Sequence, residues 1–366
     1  MKKLLYSIHV PWGWIKQRPH FIAEELSDKF DLTVLEKKIQ KLGAESKLPT
    51  MKNECLKYKR FNSVPLYNPL KKRNVLLDLI NKVFIKSSVK FKNYDYIWIT
   101  SIKYYALLKD FLLDSHIVVY DCMDDELAFP SMRSDLTLAN NAALYETELV
   151  NRANYIVCSS ENLKHVILNR TGISKNILVV NNATLYPEND SNISKANVTF
   201  NPNTNSIVYI GTVAKWFDFE SIIKMLDENE DSELYLFGPV DCEIPQHDRI
   251  NVMGSCEHKE IWSIMLQSDI LIMPFQINPL ILSVNPVKLY EYIWSRKPVI
   301  CVEYPESLKF SDYVYYYSDG ESLDAVYKDI KNKNFKPKCQ DGDKIKVFLQ
   351  NNSWKSRVSA IIKHIC

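Results

Sequence analysis

The 366 residues are more than twice the length of a typical domain, which predicts two domains, and their 46% apolar and 25% charged content is ordinary for a soluble globular protein. The eight cysteines form no Cys-x-x-Cys pair, which argues against a zinc knuckle or a disulfide framework and predicts reduced thiols in a cytoplasmic protein. No stretch approaches the roughly 18 consecutive apolar residues of a membrane-spanning helix, so membrane contact is expected to be peripheral.

The net charge of +2 conceals an uneven distribution. Residues 1–120 contain 22 Lys and Arg against 11 Asp and Glu, and the remaining residues contain 24 against 33. Residues 52–92 alone contain eleven basic and two acidic residues around an apolar segment at 75–85. This combination predicts contact with an anionic membrane surface, with a solvated basic face as the second interpretation. Nucleic acid is not an expected partner because no motif that reads RNA or DNA accompanies the charge.

Strands and helices alternate along the first half of the chain. The strands are predicted at Leu4–Val10, Leu32–Leu35, Tyr96–Thr100, Ile117–Tyr120, Tyr155–Cys158 and Ile177–Val180. The helices are predicted at Pro19–Lys29, Lys103–Leu113, Leu136–Ala153 and, with Ser160 as its N-cap, Glu161–Asn169. Residues 37–93 show the least regular pattern. The first domain is predicted to close at residue 186.

The loop after the first strand, residues 11–20, is aromatic and basic, and it has one glycine where a dinucleotide fingerprint needs three. Open α/β sheets bind ligands at the carboxyl ends of their strands. Trp14, Lys16, Arg18 and His20 are therefore candidates for binding a sugar ring and an anion. A packing loop anchored by tryptophan is the alternative.

Four carboxylates follow the strand at Ile117–Tyr120, in the sequence Asp121-Cys122-Met123-Asp124-Asp125-Glu126. Carboxylates packed together raise the pKa of at least one of them, which is the property of a general base. A metal-binding cluster and a solvated turn remain as alternatives.

Residues 187–205 are rich in Asn, Ser, Asp and Pro and are predicted to be the linker to a second βα domain at 206–352. Its strands are predicted at Ile207–Ile210, Leu234–Phe237, Ile250–Met253, Ile270–Met273 and Val299–Val302, and its helices at Phe219–Leu226 and Glu260–Leu266. The turn containing Gly211, Thr212 and Lys215 could present backbone amides to a diphosphate. A final amphipathic helix, Trp354–Ile365, is expected to cross back onto the first domain.

The segment Asn285-Pro286-Val287-Lys288-Leu289-Tyr290-Glu291-Tyr292 lies between two predicted strands. Pro286 suits the first turn of a helix, which places Lys288 near a helix N-terminus, where phosphate binds. Glu291 follows on the same face, so an ammonium and a carboxylate point in one direction. A surface Lys–Glu pair is the alternative interpretation.

Three segments together resemble a known family: residues 14–20, residues 120–125 and residues 285–292. With Ser353, Trp354 and Arg357 near the terminus, they resemble bacterial GT-B glycosyltransferases, and are most similar to family 4 enzymes of capsule, teichuronic acid and O-antigen synthesis. The resemblance implies two Rossmann-like domains facing a central cleft. It also implies transfer of a sugar from a nucleotide-diphosphate donor to a lipid-linked saccharide on the inner face of the plasma membrane.

The resemblance further implies donor binding in the second domain and acceptor binding in the first. Lys288 would hold the diphosphate and Glu291 the ribose, with Asn285 beside them, and no metal or other cofactor would be required. Asp124, then Asp125 or Asp121, would deprotonate the acceptor hydroxyl. Family 4 often has a second glutamate where this chain has Ser283, and this departure leaves open the sugar and transfer by a related inverting family.

Two other functions are compatible with the sequence. A sugar-nucleotide 2-epimerase shares the double-Rossmann architecture but would not need a basic, membrane-facing first domain. A catalytically inactive glycan-binding subunit of an assembly complex is the second, because Ser283 could mark a lost active site. A dinucleotide oxidoreductase is disfavoured by only eight glycines and the lack of a GxGxxG motif.

Overall fold

The computed structural model divides into two compact units, residues 1–181 with 354–366 and residues 182–353. It describes residues 1–12, 16–38, 56–71, 74–187, 193–196, 198–257, 259–318 and 320–366. We refer to the two parts as the first unit and the second unit.

The first unit is a parallel α/β sheet with helices between its strands. Its strands are β1 (Lys3–Ile8), β2 (Asp31–Lys37), β3 (Leu56–Phe61), β4 (Tyr96–Ile99), β5 (Ile117–Cys122), β6 (Tyr155–Cys158) and β7 (Ile177–Val179). Its helices are α1 (Arg18–Leu26), α2 (Val75–Ser88), α3 (Ile102–Leu108), α4 (Pro130–Arg133), α5 (Leu136–Arg152) and α6 (Glu161–Thr171). Short 3-10 helices lie at Phe91–Asn93, Lys109–Phe111 and Glu126–Ala128.

The strand order of the first unit is β3-β2-β1-β4-β5-β6-β7. The four central strands β1, β4, β5 and β6 are covered on both faces, which explains why each is a short, nearly continuous apolar run. Capping side chains start the helices: Asp135 accepts from Leu138 N at 3.0 Å, and Ser160 accepts from Leu163 N at 3.1 Å as predicted. Gly172, with φ of +66°, ends α6.

The second unit repeats this architecture. Its strands are β8 (Asn205–Ile210), β9 (Val213–Ala214), β10 (Ser232–Phe237), β11 (Val240–Asp241), β12 (Ile250–Gly254), β13 (Ile270–Met273), β14 (Val299–Val302) and β15 (Tyr315–Tyr317). Its helices are α7 (Phe219–Asp227), α8 (Ile261–Gln267), α9 (Pro279–Ser283), α10 (Val287–Trp294), α11 (Leu323–Asn332) and α12 (Gly342–Asn351), with a 3-10 helix at Ser307–Phe310. The main sheet has the parallel order β12-β10-β8-β13-β14-β15, and β9 pairs with β11.

The last helix, α13 (Trp354–Ile365), belongs to the first unit, as predicted. Trp354 is buried, and its ring stacks on Phe21 of α1 with centroids 5.1 Å apart. The backbone carbonyl of Ile365 accepts a hydrogen bond from the Tyr96 hydroxyl at 3.3 Å. The parallel α/β fold with two Rossmann-like parts is thereby confirmed.

The described parts of the segment predicted to be a linker, residues 187, 193–196 and 198–205, group with the second unit. Phe200 contacts Tyr235 edge-to-face with ring centroids 4.7 Å apart, and the backbone N–H of Asn201 donates a hydrogen bond to the Tyr235 hydroxyl at 3.0 Å. Isolated aromatic and aliphatic side chains hold this part of the chain against the core, so it shows no apolar period in the sequence.

Candidate active site

The carboxyl ends of β1, β2, β4 and β5 surround a cavity of about 390 Å³ within the first unit. These strands are neighbours in the sheet, so polar residues that follow them in the sequence meet at one edge. The titratable residues that line the cavity are His9, Glu36, Lys37, Lys103, Asp124 and Glu126.

Asp124 is the predicted catalytic carboxylate that faces this cavity. Its carboxylate has no hydrogen-bond partner among the described residues, although its backbone carbonyl accepts a weak bond from Cys122 Sγ. Burial raises the pKa of Asp124 to about 6, and the negative charge of Asp125 adds to the rise while Arg18 opposes it. A carboxyl with this pKa is deprotonated near neutral pH and still a useful proton acceptor.

The neighbouring carboxylates are bound to arginines inside the unit. Asp121 is 1% exposed and accepts from Arg18 Nε at 3.2 Å and Nη2 at 3.1 Å. Asp125 accepts from Arg170 Nη1 at 2.8 Å, and the same guanidinium group makes two bonds to Glu146. These contacts favour a structural role for Asp121 and Asp125 and argue against their predicted role as the base.

Two further carboxyls of the cavity have raised pKa values. Glu126 accepts from Ile102 N at 2.8 Å and from Ser101 Oγ at 3.0 Å, and burial raises its pKa to about 7. Burial raises the pKa of Glu36 to about 6, although Arg60 and the backbone of Trp12 lower it. The Oε2 atom of Glu36 is buried without a hydrogen-bond partner in the described part of the chain.

His9 contributes an unprotonated nitrogen. The Thr100 hydroxyl donates to the Ser7 carbonyl at 2.9 Å, so its oxygen accepts from His9 Nδ1 at 2.8 Å. The proton of neutral His9 therefore lies on Nδ1, and Nε2 carries a lone pair. Burial, with a smaller contribution from His20, lowers the pKa of His9 to about 4, which keeps the ring neutral at physiological pH.

The loop residues predicted to bind an anion are engaged within the first unit. Arg18 is 5% exposed and also donates to the Val180 carbonyl at 2.7 Å. His20 accepts from Gln17 N and donates to the Pro11 carbonyl, and burial lowers its pKa to about 4. Lys16 pairs with Glu24 at 2.6 Å. Trp14 lies outside the described residues. The structure therefore gives Arg18 and His20 a role in fixing the start of α1.

In the second unit, Lys288 and Glu291 lie where the sequence predicts, near the start of α10 on one face. The Lys288 ammonium donates to Glu291 Oε2 at 3.0 Å, and the Glu291 carboxylate is largely buried. Asn285 fixes the turn before the helix: its Oδ1 accepts from Asn182 N at 2.9 Å, and its Nδ2 donates to Glu306 at 3.0 Å. These hydrogen bonds hold the turn before the helix, and the Lys288 side chain is partly exposed.

The remaining predicted donor residues differ in accessibility. Ser283 is buried and donates to the Pro279 carbonyl at 3.4 Å, so its hydroxyl turns back on its own short helix. Gly211 packs against Gly238. A Cβ added to Gly238 would lie 2.1 Å from the Gly211 carbonyl oxygen. The Thr212 carbonyl accepts from the Tyr209 hydroxyl at 3.0 Å, and Lys215 is exposed.

Sequence reasoning missed His9, Glu36, Lys37 and Lys103 as members of the cavity. All four follow or end a strand, or begin the helix after one, so listing every polar residue at a strand's carboxyl end would have found them.

Among the described residues, no group of three His, Cys, Asp or Glu side chains is placed to hold a metal ion. No helix in the described ranges is long and apolar enough to cross a bilayer.

Two Rossmann-like units with parallel sheets define the GT-B class of fold, and comparison with solved structures confirms that this chain has it. Sucrose-phosphate synthase from Thermosynechococcus elongatus matches with a TM-score of 0.71 at 12% identity, over 99% of this chain and 98% of that one. Anabaena HepE, solved in complex with UDP and glucose, matches with a TM-score of 0.70 at 14% identity, over 100% and 99%. At these identities the likeness establishes the fold alone.

One curated relative is similar in sequence. It is a protein of Bacillus subtilis (strain 168) provisionally named teichuronic acid biosynthesis glycosyltransferase TuaH, and it is 29% identical over 218 residues. The match covers 56% of this chain and 55% of the relative, so the chain spans about half the length of the curated relative it matches. No protein-family model matches the chain.

Proposed function

We propose that the protein is a glycosyltransferase that moves a sugar from a nucleotide-diphosphate donor to a hydroxyl group of an acceptor. The observation that carries the proposal is the Asp124 carboxyl, which faces a cavity of the first unit with a pKa raised to about 6. The GT-B fold and the names of the similar proteins support the same class of reaction.

In the proposed reaction, Asp124 accepts the proton of the acceptor hydroxyl, whose oxygen forms a bond to the anomeric carbon of the donor. The bond from that carbon to the diphosphate breaks, and the diphosphate leaves with the bonding electrons. The Lys288 ammonium and the N-terminal amides of α10 stabilise the charge that develops on it. Glu291 accepts hydrogen bonds from the ribose, while the Gly211–Thr212 turn and Lys215 lie along the diphosphate. No step in this reaction uses a metal.

Donor binding is tested by titrating a panel of nucleotide-diphosphate sugars into the protein by calorimetry. We expect Lys288→Ala to weaken binding about 10- to 100-fold, because a hydrogen bond to a charged group contributes about 1.5–3 kcal/mol. Lys346→Ala is the matched control, since Lys346 is exposed on α12. Equal affinities in the Lys288 variant and the wild type would remove Lys288 from the donor site.

Transfer is tested with a donor from that panel and an extract of lipid-linked saccharides. Asp124→Asn should bind the donor with unchanged affinity and lose transfer by about 10²- to 10⁴-fold, the usual contribution of a general base. Asp114→Asn, an exposed substitution before β5, serves as the control. Conversion of the donor into another nucleotide sugar without an acceptor would instead identify an epimerase.

We further propose that the acceptor is a lipid-linked saccharide of cell-surface polysaccharide synthesis and that the first unit docks on the inner membrane face. Helix α2 supports docking, because Val75, Leu76, Leu79 and Val83 form one face and are 58% to 81% exposed. Exposed lysines lie on and near this helix, namely Lys71, Lys86, Lys90 and Lys92. An apolar helix face beside lysines fits an anionic interface, at about 1 kcal/mol per lysine.

Membrane docking is tested by sedimenting the protein with vesicles. We expect binding to vesicles that contain phosphatidylglycerol and little binding to pure phosphatidylcholine. Replacing Leu76 and Leu79 together by glutamate should reduce binding at least tenfold, because each leucine contributes about 1.5–3 kcal/mol on burial. Val347→Glu changes an exposed apolar residue of the second unit and should have no effect. Undiminished binding of the leucine variant would rule out α2 as the docking face.

A further inference from the structure

Two lysines of the first-unit cavity have no anionic partner among the residues that the structure describes. Lys37 ends β2 and Lys103 lies in the first turn of α3, and both side chains line the cavity that Asp124 faces. Their backbones are fixed, since Lys37 N donates to the Tyr104 hydroxyl at 3.1 Å and Lys103 N donates to Ser101 Oγ at 3.2 Å. Within the described ranges, neither ammonium forms a hydrogen bond or an ion pair.

This arrangement carries an electrostatic cost. Burial lowers the pKa of Lys37, and the positive charge of Lys103 lowers it further, so the two ammonium groups repel each other. The carboxyls of the same cavity do not compensate. Glu126 is bound to Ser101 and the amide of Ile102, and Glu36 lies 3.8 Å from Arg60. Asp124 also lines the cavity, but it does not contribute to the shift of the Lys37 pKa. By contrast, Lys57 of the same sheet forms an ion pair with Asp31 at 2.7 Å.

A ligand that brings a negative charge between the two lysines would relieve this repulsion and gain two charge-assisted hydrogen bonds. The rest of the wall suits a sugar, because Asp124 and His9 Nε2 are hydrogen-bond acceptors for hydroxyl groups. The wall therefore combines a cationic part with an acceptor-rich part.

We propose that Lys37 and Lys103 form an anion subsite that binds a carboxylate or phosphate group carried by the acceptor saccharide. This assignment rests on the proposed function, in which the first unit binds the acceptor. The subsite selects acceptors that carry a negative charge close to the reacting hydroxyl, and it orients that hydroxyl toward Asp124.

The test measures binding of small probes to the full-length protein without any donor. The probes are methyl glucuronide, which carries a carboxylate, glucose 1-phosphate, which carries a phosphate, and methyl glucoside, which is neutral. We expect at least one anionic probe to bind about tenfold or more tightly than methyl glucoside, with an affinity that falls as NaCl is added. The preferred anion identifies the group that the subsite takes.

Variants connect the binding to the two lysines. Lys37→Met and Lys103→Met should each weaken the preferred anion about tenfold, and Lys37→Arg should retain most of the affinity. Lys355→Met, an exposed change on α13, is the matched control. Equal binding of neutral and anionic probes, or unchanged anion affinity in both methionine variants, would overturn the subsite. Loss of the subsite with intact donor binding through Lys288 would leave the proposed function standing, so the two failures are distinguishable.

Discussion

The arginine that joins Asp125 to Glu146 offers a quantitative test of how the first unit isolates Asp124. Arg170 bonds Glu146 at 2.6 and 3.0 Å and Asp125 at 2.8 Å. The Glu146 and Asp125 side chains are only 1% and 6% exposed. In Arg170→Met, both carboxylates stay buried without their cation, and such a loss costs about 3–5 kcal/mol.

This loss should depend on pH. Burial raises the pKa of Glu146 and Arg170 lowers it, so the variant has a Glu146 pKa still further above its unfolded value. A carboxyl whose pKa is higher in the folded protein than in the unfolded chain stabilises the folded state below its unfolded-chain pKa, near 4.5 for Glu146. This stabilisation is lost as the pH rises through the pKa of the folded state. The destabilisation should therefore be greatest at pH 8 and smaller at pH 5.

Amide hydrogen exchange of the α5 and α6 peptides reports the stability of this region directly. A loss of about 3–5 kcal/mol accelerates exchange of the slowest amides by about 10²- to 10³-fold or more at pH 8. Arg133→Met, an exposed change on α4, should alter exchange little. Adding Glu146→Gln to Arg170→Met should recover part of the loss. If Arg170→Met alone proved as stable as Arg133→Met, the reasoning would be refuted.

Three further outcomes are expected. The rate of transfer should rise with pH through about 6, where Asp124 loses its proton, and a pH–rate profile of Asp124→Asn should lack this rise. Gly238→Ala should lower the melting temperature by several degrees, because the φ of Gly238 is +139° and the new Cβ would meet the Gly211 carbonyl. Gly320→Ala is the control and should not lower it, because the nearest atom to a Cβ at that position is 3.8 Å away. Trp354→Ala should cost about 3–5 kcal/mol and expose α13 to hydrogen exchange, because the indole is buried in the first unit.

The alternation of strands and helices was predictable wherever an element is a short apolar run between polar turns. The strands Tyr155–Cys158, Ile270–Met273 and Val299–Val302 and the helix Trp354–Ile365 have the predicted bounds. Strand β3 was missed because it lies at the sheet edge, where its polar residues are at least partly exposed and only its two end residues are buried. Helix α2 was predicted only as an apolar segment and not as a helix, because few of its residues are buried.

The donor residues on α10 were predictable because they are close in sequence, and their role remains a prediction. The cavity was only partly predictable. Asp124 lies in one carboxylate-rich segment, but His9, Glu36 and Lys103 come from three other strand ends that only the sheet order brings together. The arginines that bind Asp121 and Asp125, namely Arg18 and Arg170, are also far from them in the sequence. The sequence alone therefore could not choose between Asp121, Asp124 and Asp125.

The four carboxylates after β5 differ because each faces a different partner. Asp121 faces Arg18, and Asp125 faces Arg170, so both negative charges are neutralised by fixed guanidinium groups. Glu126 is held by the Ser101 hydroxyl and the amide of Ile102. Asp124 alone of the four turns a carboxylate without a described hydrogen-bond partner toward the cavity. A proton acceptor must be both accessible and unengaged, and the surrounding ion pairs hold the chain so that Asp124 meets both conditions.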